Sequence, residues 1–200
     1  LIMIFAFFPA VVLHEYAHGW VANRLGDPTA KQLGRLTLNP IKHVDPVGTI
    51  IVPMALILMR SPAVFGWAKP VPVNFRALRH PKRDMMWVGL AGPAVNILLA
   101  VACSLLLKAP LPDMVSAYLV VAVLINLLLA TFNMIPIPPL DGSRLVMGLL
   151  PRSLAIPYAK LERYGILIVF ALLYLGLLKR VVWPVVLFLA VLLGIDFSMM

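Results

Sequence analysis

Residues 14–18 read His14-Glu15-Tyr16-Ala17-His18, and the run before them is apolar from its start, Leu1-Ile2-Met3-Ile4-Phe5-Ala6-Phe7-Phe8-Pro9. Residues four apart on a helix project from one face, so His14 and His18 can reach a single metal ion, with Glu15 beside them. In this H-E-x-x-H spacing the histidines bind zinc and the glutamate acts as general base. A soluble enzyme would carry the pattern on an amphipathic helix. Here the flanking residues predict a helix buried in a bilayer, where an ionisable cluster is costly and marks a functional site by default. The blander reading is a pair of helix-face histidines hydrogen-bonded to polar neighbours. The chain holds four histidines and eight acidic residues in all, and the placing of three of these in one apolar run favours the metal.

The rest of the chain fits that setting. Of its 200 residues 62% are hydrophobic, against roughly 45–50% in a soluble domain, and the mean hydropathy is +0.98. An all-α polytopic membrane protein is predicted. The net charge of +9 does not point to nucleic acid, because the lysines and arginines fall between hydrophobic runs, as loop charges that orient a membrane protein do. The single cysteine, Cys103, allows no disulfide within the chain. No charged n-region precedes Leu1, and the expectation is of a trimmed chain or a fragment, which could lack an earlier transmembrane segment.

About five transmembrane helices are predicted, over 1–23, 85–107, 114–133, 164–178 and 181–195. The stretch 47–59 is apolar for thirteen residues and contains Pro53. A span needs roughly 20 residues, so this piece reads as a short or re-entrant segment. Residues 65–73, Phe65-Gly66-Trp67-Ala68-Lys69-Pro70-Val71-Pro72-Val73, cannot be helical at Pro70 or Pro72 and read as a small extended or β loop. Loops 24–46, 60–84 and 144–163 hold fourteen of the seventeen lysines and arginines. If 47–59 does not cross, all three loops share one side, which the positive-inside rule makes cytoplasmic.

Catalytic zinc takes three protein ligands and keeps its fourth position for water. The acids in or near apolar segments are Asp141 after a helix break, Glu162 between Lys160 and Arg163, and Asp196 at the chain end. Depth favours Asp141. His14 and His18 precede Arg24 by ten and six residues, and Asp141 precedes Pro151-Arg152 by ten. At the helical rise per residue, all three lie roughly 10–15 Å below the same surface. The alternative for Leu140-Asp141-Gly142 is an ordinary turn with an N-cap aspartate. Pro136, Pro138 and Pro139 leave backbone carbonyls without helical partners, which at membrane depth is tolerated only inside protein or beside a water-filled cavity. Asn133 and Asn96 could each donate to a substrate carbonyl or its developing oxyanion, or make interhelical hydrogen bonds. Trp67 and Val71 could help hold an extended substrate against an edge strand, or belong to a plain surface loop. His43 and Asp45 read as parts of a solvated turn rather than as a gate.

Three motifs occur in order: His14-Glu15-x-x-His18, Ala91-Gly92-Pro93-x-x-Asn96 and Asn133-x-x-Pro136-x-Pro138-Pro139-Leu140-Asp141-Gly142. Together they resemble the site-2 protease family of intramembrane zinc metalloproteases. Gly26-Asp27-Pro28-Thr29-Ala30, Gly34-Arg35-Leu36-Thr37-Leu38-Asn39-Pro40 and Phe65-Gly66-Trp67-Ala68-Lys69-Pro70-Val71-Pro72 are similar to the compact prokaryotic branch of that family, and neither a PDZ nor a CBS domain fits in these 200 residues. The resemblance implies one zinc ion per chain held by His14, His18 and Asp141, with Glu15 as base. It implies hydrolysis of peptide bonds within or near transmembrane segments of substrate proteins. A single membrane-embedded peptidase domain over 1–200 is expected, with a catalytic core of about 1–150 and accessory helices over about 160–196. The protein would be multi-pass in a bacterial or archaeal cell membrane, its active site nearer the cytoplasmic face. A non-catalytic zinc-binding module or a metal transporter is the competing reading; a transporter would be expected to show ligands at several depths or an inverted repeat, and the sequence shows one cluster. A soluble-type zincin docked on a membrane would need Glu162 as its third ligand.

Overall fold

The structure, a computed structural model, describes residues 2–60 and 66–195. All regular elements among the described residues are helical. They are α1 (Ile2–Arg24), α2 (Thr29–Gln32), α3 (Val52–Leu58), α4 (Pro81–Leu106), α5 (Asp113–Asn133), α6 (Gly142–Leu149), α7 (Arg152–Lys160), α8 (Glu162–Tyr174) and α9 (Leu177–Leu192). A π-helical turn, Pro46–Ile51, leads into α3. Phe65 and Asp196 lie outside the described residues; the loop from Gly66 to Val73 is extended but pairs with no strand.

Three helices, α1, α4 and α5, are long and apolar enough to cross a membrane. The α8–α9 pair is bent by 78° and adds a fourth if it counts as one span. The sequence count of five treats the runs 164–178 and 181–195 separately. Their helices have 13 and 16 residues, and the division falls at Gly176, whose left-handed backbone (φ 69°) ends α8 as such glycines commonly do.

The centre of the bundle is α4, which packs against α1, α5 and α6. Its residues Asp84, Val88, Gly92, Asn96, Ala100 and Ser104, every fourth one, are all buried. Mostly small or polar residues on one face let backbones approach, which is how helices associate without a hydrophobic driving force. On α1 the matching face carries Ala6, Ala10, His14, Ala17, His18 and Ala22. The two helices run antiparallel, since His14 meets Asn96 and His18 meets Val88. On the far side, Ala100, Val123 and Leu127 of α4 and α5 form a core with Val182, Val186 and Ala190 of α9.

The segment between α1 and α4 starts and ends at one place. Arg79 donates its backbone N–H to Leu25 O at 3.0 Å. Whatever 47–59 does in between, it makes no net crossing. None of the residues of α3 is buried, and Ile57 and Leu58 are 61% and 80% exposed. An apolar helix with no buried residue suits lipid.

Candidate metal centre

The α1–α4 packing brings His14 and His18 to the end of the broken segment after α5. Asp141 Oδ2 lies 3.1 Å from His14 Nε2 and 3.2 Å from His18 Nε2. The two Nε2 atoms are 3.0 Å apart, with the rings at 81° to each other. Ligand atoms of all three residues lie within 4.8 Å of one another. The other ring nitrogens set the protonation. His18 Nδ1 faces Val88 O at 2.6 Å, and a carbonyl only accepts. His14 Nδ1 faces Asn96 Oδ1 at 2.6 Å. Both neutral imidazoles therefore carry the proton on Nδ1 and turn an Nε2 lone pair toward a carboxylate oxygen. Two imidazoles with one carboxylate form a zinc donor set, and these three could hold a metal ion.

Gly92 supplies the room. A Cβ built there would stand 2.6 Å from His14 Nε2 and would also collide with His18 Nε2. Only a residue without a side chain fits where α4 passes the imidazoles. In the sequence Gly92 stands out only as part of Ala91-Gly92-Pro93-x-x-Asn96; its placement beneath the two Nε2 atoms depends on how α1 and α4 cross, which spacing alone does not reveal.

Asp141 ends the segment 134–141, in which proline replaces the donors a helix would need. The stretch closes on itself through Ile137 N–H to Ile135 O (2.8 Å) and Leu140 N–H to Ile137 O (2.9 Å). Tyr158 Oη donates to Pro136 O at 2.8 Å. Asp141 stands at the N-cap position of α6, yet its side chain makes no capping hydrogen bond. Its carboxylate faces the histidines instead.

A cavity of about 620 Å³ opens beside the cluster, lined by His14, Glu15, His18 and Asp141, with Trp67 and Val71 from the extended loop, Asn133 from α5, Arg144 from α6 and Ile166, Val169, Phe170 and Leu173 from α8. The four α8 residues follow the i, i+3, i+4, i+7 spacing of one helix face, so that helix forms an apolar wall.

Residues 66–73 lie across this cavity, held at alternate residues. The N–H groups of Trp67 and Lys69 donate to Gly48 O (3.0 Å) and His43 O (2.9 Å). Val71 N–H donates to Glu15 Oε2 at 2.8 Å. With Pro70 and Pro72 lacking N–H groups, Ala68 is the one remaining donor between Trp67 and Val71. Among the loop's carbonyls, Trp67 O already accepts from Thr49 Oγ1, and Lys69 O and Pro70 O from Arg35. The Val71 bond is the contact that sequence reasoning missed; it joins residues 56 apart and no local pattern announces it. A hydrogen bond to a charged group contributes about 1.5–3 kcal/mol, so Val71→Pro is expected to lower kcat by about tenfold or more. Val71→Ala, which keeps the donor, should retain most activity, and zinc content should be unchanged in both. Equal kcat for the two variants would remove the role of the amide.

The remaining candidates separate cleanly. Asn96 is fully buried behind His14, and its amide nitrogen donates to Ala10 O (3.1 Å) and Asn126 Oδ1 (2.8 Å). Both of its hydrogens are spent, so the expectation that Asn96 donates to substrate is corrected in favour of the interhelical bond. Asn133 lines the cavity and gives one hydrogen to Leu129 O at 3.0 Å. Asp45 caps the π-helical turn through Val47 N and Gly48 N, as a turn reading expects, whereas His43, expected to be solvated, is buried at 2% exposure with Nε2 donating to Thr37 O. Glu162 is engaged by both terminal nitrogens of Arg144, at 2.7 and 3.1 Å.

A helical membrane protein with two imidazoles and a carboxylate converging on a cavity has the architecture of a membrane metalloprotease. Residues 108–176 match the model of peptidase family M50. The chain is 38% identical over 182 residues to YwhC of Bacillus subtilis (strain 168), provisionally named a zinc metalloprotease, across 86% of this chain and 80% of that protein. It is 28% identical over 183 residues to Rip2 of Mycolicibacterium smegmatis, provisionally named in the same way, across 90% of this chain and 69% of that one. Zinc metalloprotease MJ0392 of Methanocaldococcus jannaschii is 26% identical over 155 residues, 76% of this chain and 35% of its own length. No solved structure matches. The chain belongs to peptidase family M50, the site-2 proteases, and is a metalloprotease.

Proposed function

We propose that this protein hydrolyses peptide bonds within or near transmembrane segments of other membrane proteins, using one zinc ion per chain held by His14, His18 and Asp141. The observation that carries the reading is the convergence of the three ligand atoms within 4.8 Å, beside a cavity that Glu15 also lines. Zinc in that position supplies Lewis acidity to a water molecule and to the scissile carbonyl. Glu15 takes the water's proton and returns it to the leaving amine. The Val71 amide fixes one Glu15 oxygen, leaving the other to meet the water. Asn133, with one amide hydrogen still uncommitted to Leu129 O, steadies the developing oxyanion. Trp67 and Val71 help seat the unwound substrate below the extended loop. A substrate helix must unwind first, because its carbonyls are otherwise occupied by helical hydrogen bonds.

The bundle sits in a bacterial or archaeal cell membrane with Arg24 and Pro81 at the cytoplasmic face, the side where the basic loops gather. Its peptidase domain is 1–200, with the catalytic core at about 1–150. In this reading α8 and α9 insert beside α1, α4 and α5 to make about five membrane helices. The test is cleavage of a membrane-spanning substrate by purified protein in liposomes. Chelation with 1,10-phenanthroline should abolish cleavage and added zinc should restore it. Cleavage that survives zinc removal would overturn the reading, and zinc binding without any cleavage would favour the non-catalytic module.

A further inference from the structure

Behind His14 the buried polar groups continue beyond Asn96 into a third helix. Asn126 on α5 is 3% exposed, Asn96 on α4 0% and His14 on α1 5%. We propose that Asn126 is a positioning residue for the metal centre, acting through Asn96 to hold the His14 imidazole in the tautomer whose Nε2 is free to ligate. The inference rests on the metal reading above and extends it to a residue that touches neither metal nor substrate.

The direction of each bond is forced from the far end. Asn126 Nδ2 lies 2.8 Å from Ala122 O, a carbonyl that can only accept. The Asn126 amide is thereby oriented with Oδ1 toward Asn96. That oxygen takes one hydrogen of Asn96 Nδ2 at 2.8 Å, and Ala10 O takes the other at 3.1 Å. Asn96 Oδ1 is then the atom left to face His14 Nδ1, at 2.6 Å, and it can only accept. The imidazole proton is thus fixed on Nδ1 by a chain of amides anchored on a backbone carbonyl one turn earlier in α5.

Two acceptors hold the Asn96 amide in place, and Asn126 supplies one of them. Without it, one amide hydrogen has no partner in a fully buried site. The reversed orientation, with Asn96 Nδ2 toward His14, then competes more closely. That orientation would move the imidazole proton to Nε2, where it blocks the ligand atom. Metal-ligating histidines generally depend on the group behind them; here that group depends on Asn126 in turn. The chain also ties α5, which carries Asn133 and leads into Asp141, to the helix that carries both histidines.

The experiment uses the full-length protein, metal-free, with two substitutions of opposite character. Asn126→Leu keeps similar volume and removes the acceptor. Asn126→Asp, in its neutral form, keeps an O–H for Ala122 O and a carbonyl oxygen for Asn96. Ring 15N shifts read the His14 tautomer, and competition with a chromophoric chelator reads zinc affinity. Asn126→Leu is expected to populate the Nε2–H tautomer and to weaken zinc binding by about 10–100-fold, as loss of outer contacts typically does. Asn126→Asp should restore both. Unchanged tautomer and zinc affinity in Asn126→Leu overturn the inference, and so does an equal loss in both variants. If Asn126→Leu does not fold, Asn126→Ala is read by the same two measurements. His14→Ala serves as the control: if it leaves zinc affinity intact, the metal reading has failed, whereas a loss there with none at Asn126 removes this inference alone.

Discussion

Glu15→Gln is expected to bind zinc as the unsubstituted protein does and to lose about 10²–10⁴-fold in kcat, the range associated with removing a general base. The amide keeps the shape of the side chain and cannot take a proton. Zinc should be retained because Glu15 is not in the ligand cluster; its Oε2 is engaged by the Val71 amide, while the cluster is made by His14, His18 and Asp141. Asp141→Ala is the complementary variant. It removes the oxygen that both Nε2 atoms face at 3.1 and 3.2 Å, so zinc content and activity should fall together. Zinc content by metal analysis beside cleavage of a membrane-spanning substrate separates the two. Retained cleavage in Glu15→Gln would remove the mechanism, and full zinc occupancy in Asp141→Ala would remove the ligand assignment.

The second large effect is expected at a residue with no side chain. In Gly92→Ala the new methyl would lie 2.6 Å from His14 Nε2 and Cε1, whereas carbon contacts relax at about 3.5–4.0 Å. Relief requires α4 to withdraw from α1. Four residues to either side, the His18 Nδ1–Val88 O and His14 Nδ1–Asn96 Oδ1 bonds, both 2.6 Å, hold the helices together. The overpacking should cost about 1–3 kcal/mol of stability and should displace the imidazoles, lowering zinc occupancy and cleavage together. A lowered melting temperature with zinc and activity intact would show that the helices spread without disturbing the centre.

Much of the site could be read from the sequence because its logic is local. His14 and His18 are one helical turn apart, and the proline-rich break before Asp141 lies at the matching distance from the next basic loop. What depended on helix crossing was hidden. Asn96 and Asn126 are 30 residues apart and meet only because α4 and α5 pack face to face. Read singly, each is an ordinary polar residue in an apolar helix, and Asn96 was as good a substrate donor as a structural link until both its hydrogens were accounted for. The count of membrane helices was obscured for a different reason. The apolar runs near the C-terminus give the composition of a span, while Gly176, which interrupts them, decides how far each helix extends.

The meeting of Leu25 and Arg79 has a consequence for how such a protein can be altered. The segment between those residues is an excursion that leaves the bundle and returns to it at one place, and in between it touches α1 through the Val71 N–H to Glu15. The entropic cost of enlarging a closed loop rises slowly, by about 0.6 kcal/mol for each doubling of its length. The three candidate ligands sit on α1 and the stretch following α5, outside the excursion, whereas the extended loop over the cavity belongs to it. Length can therefore be added to the excursion away from residues 66–73 at little entropic cost, whereas exchange of the extended loop itself would also remove the Val71 amide that bonds Glu15.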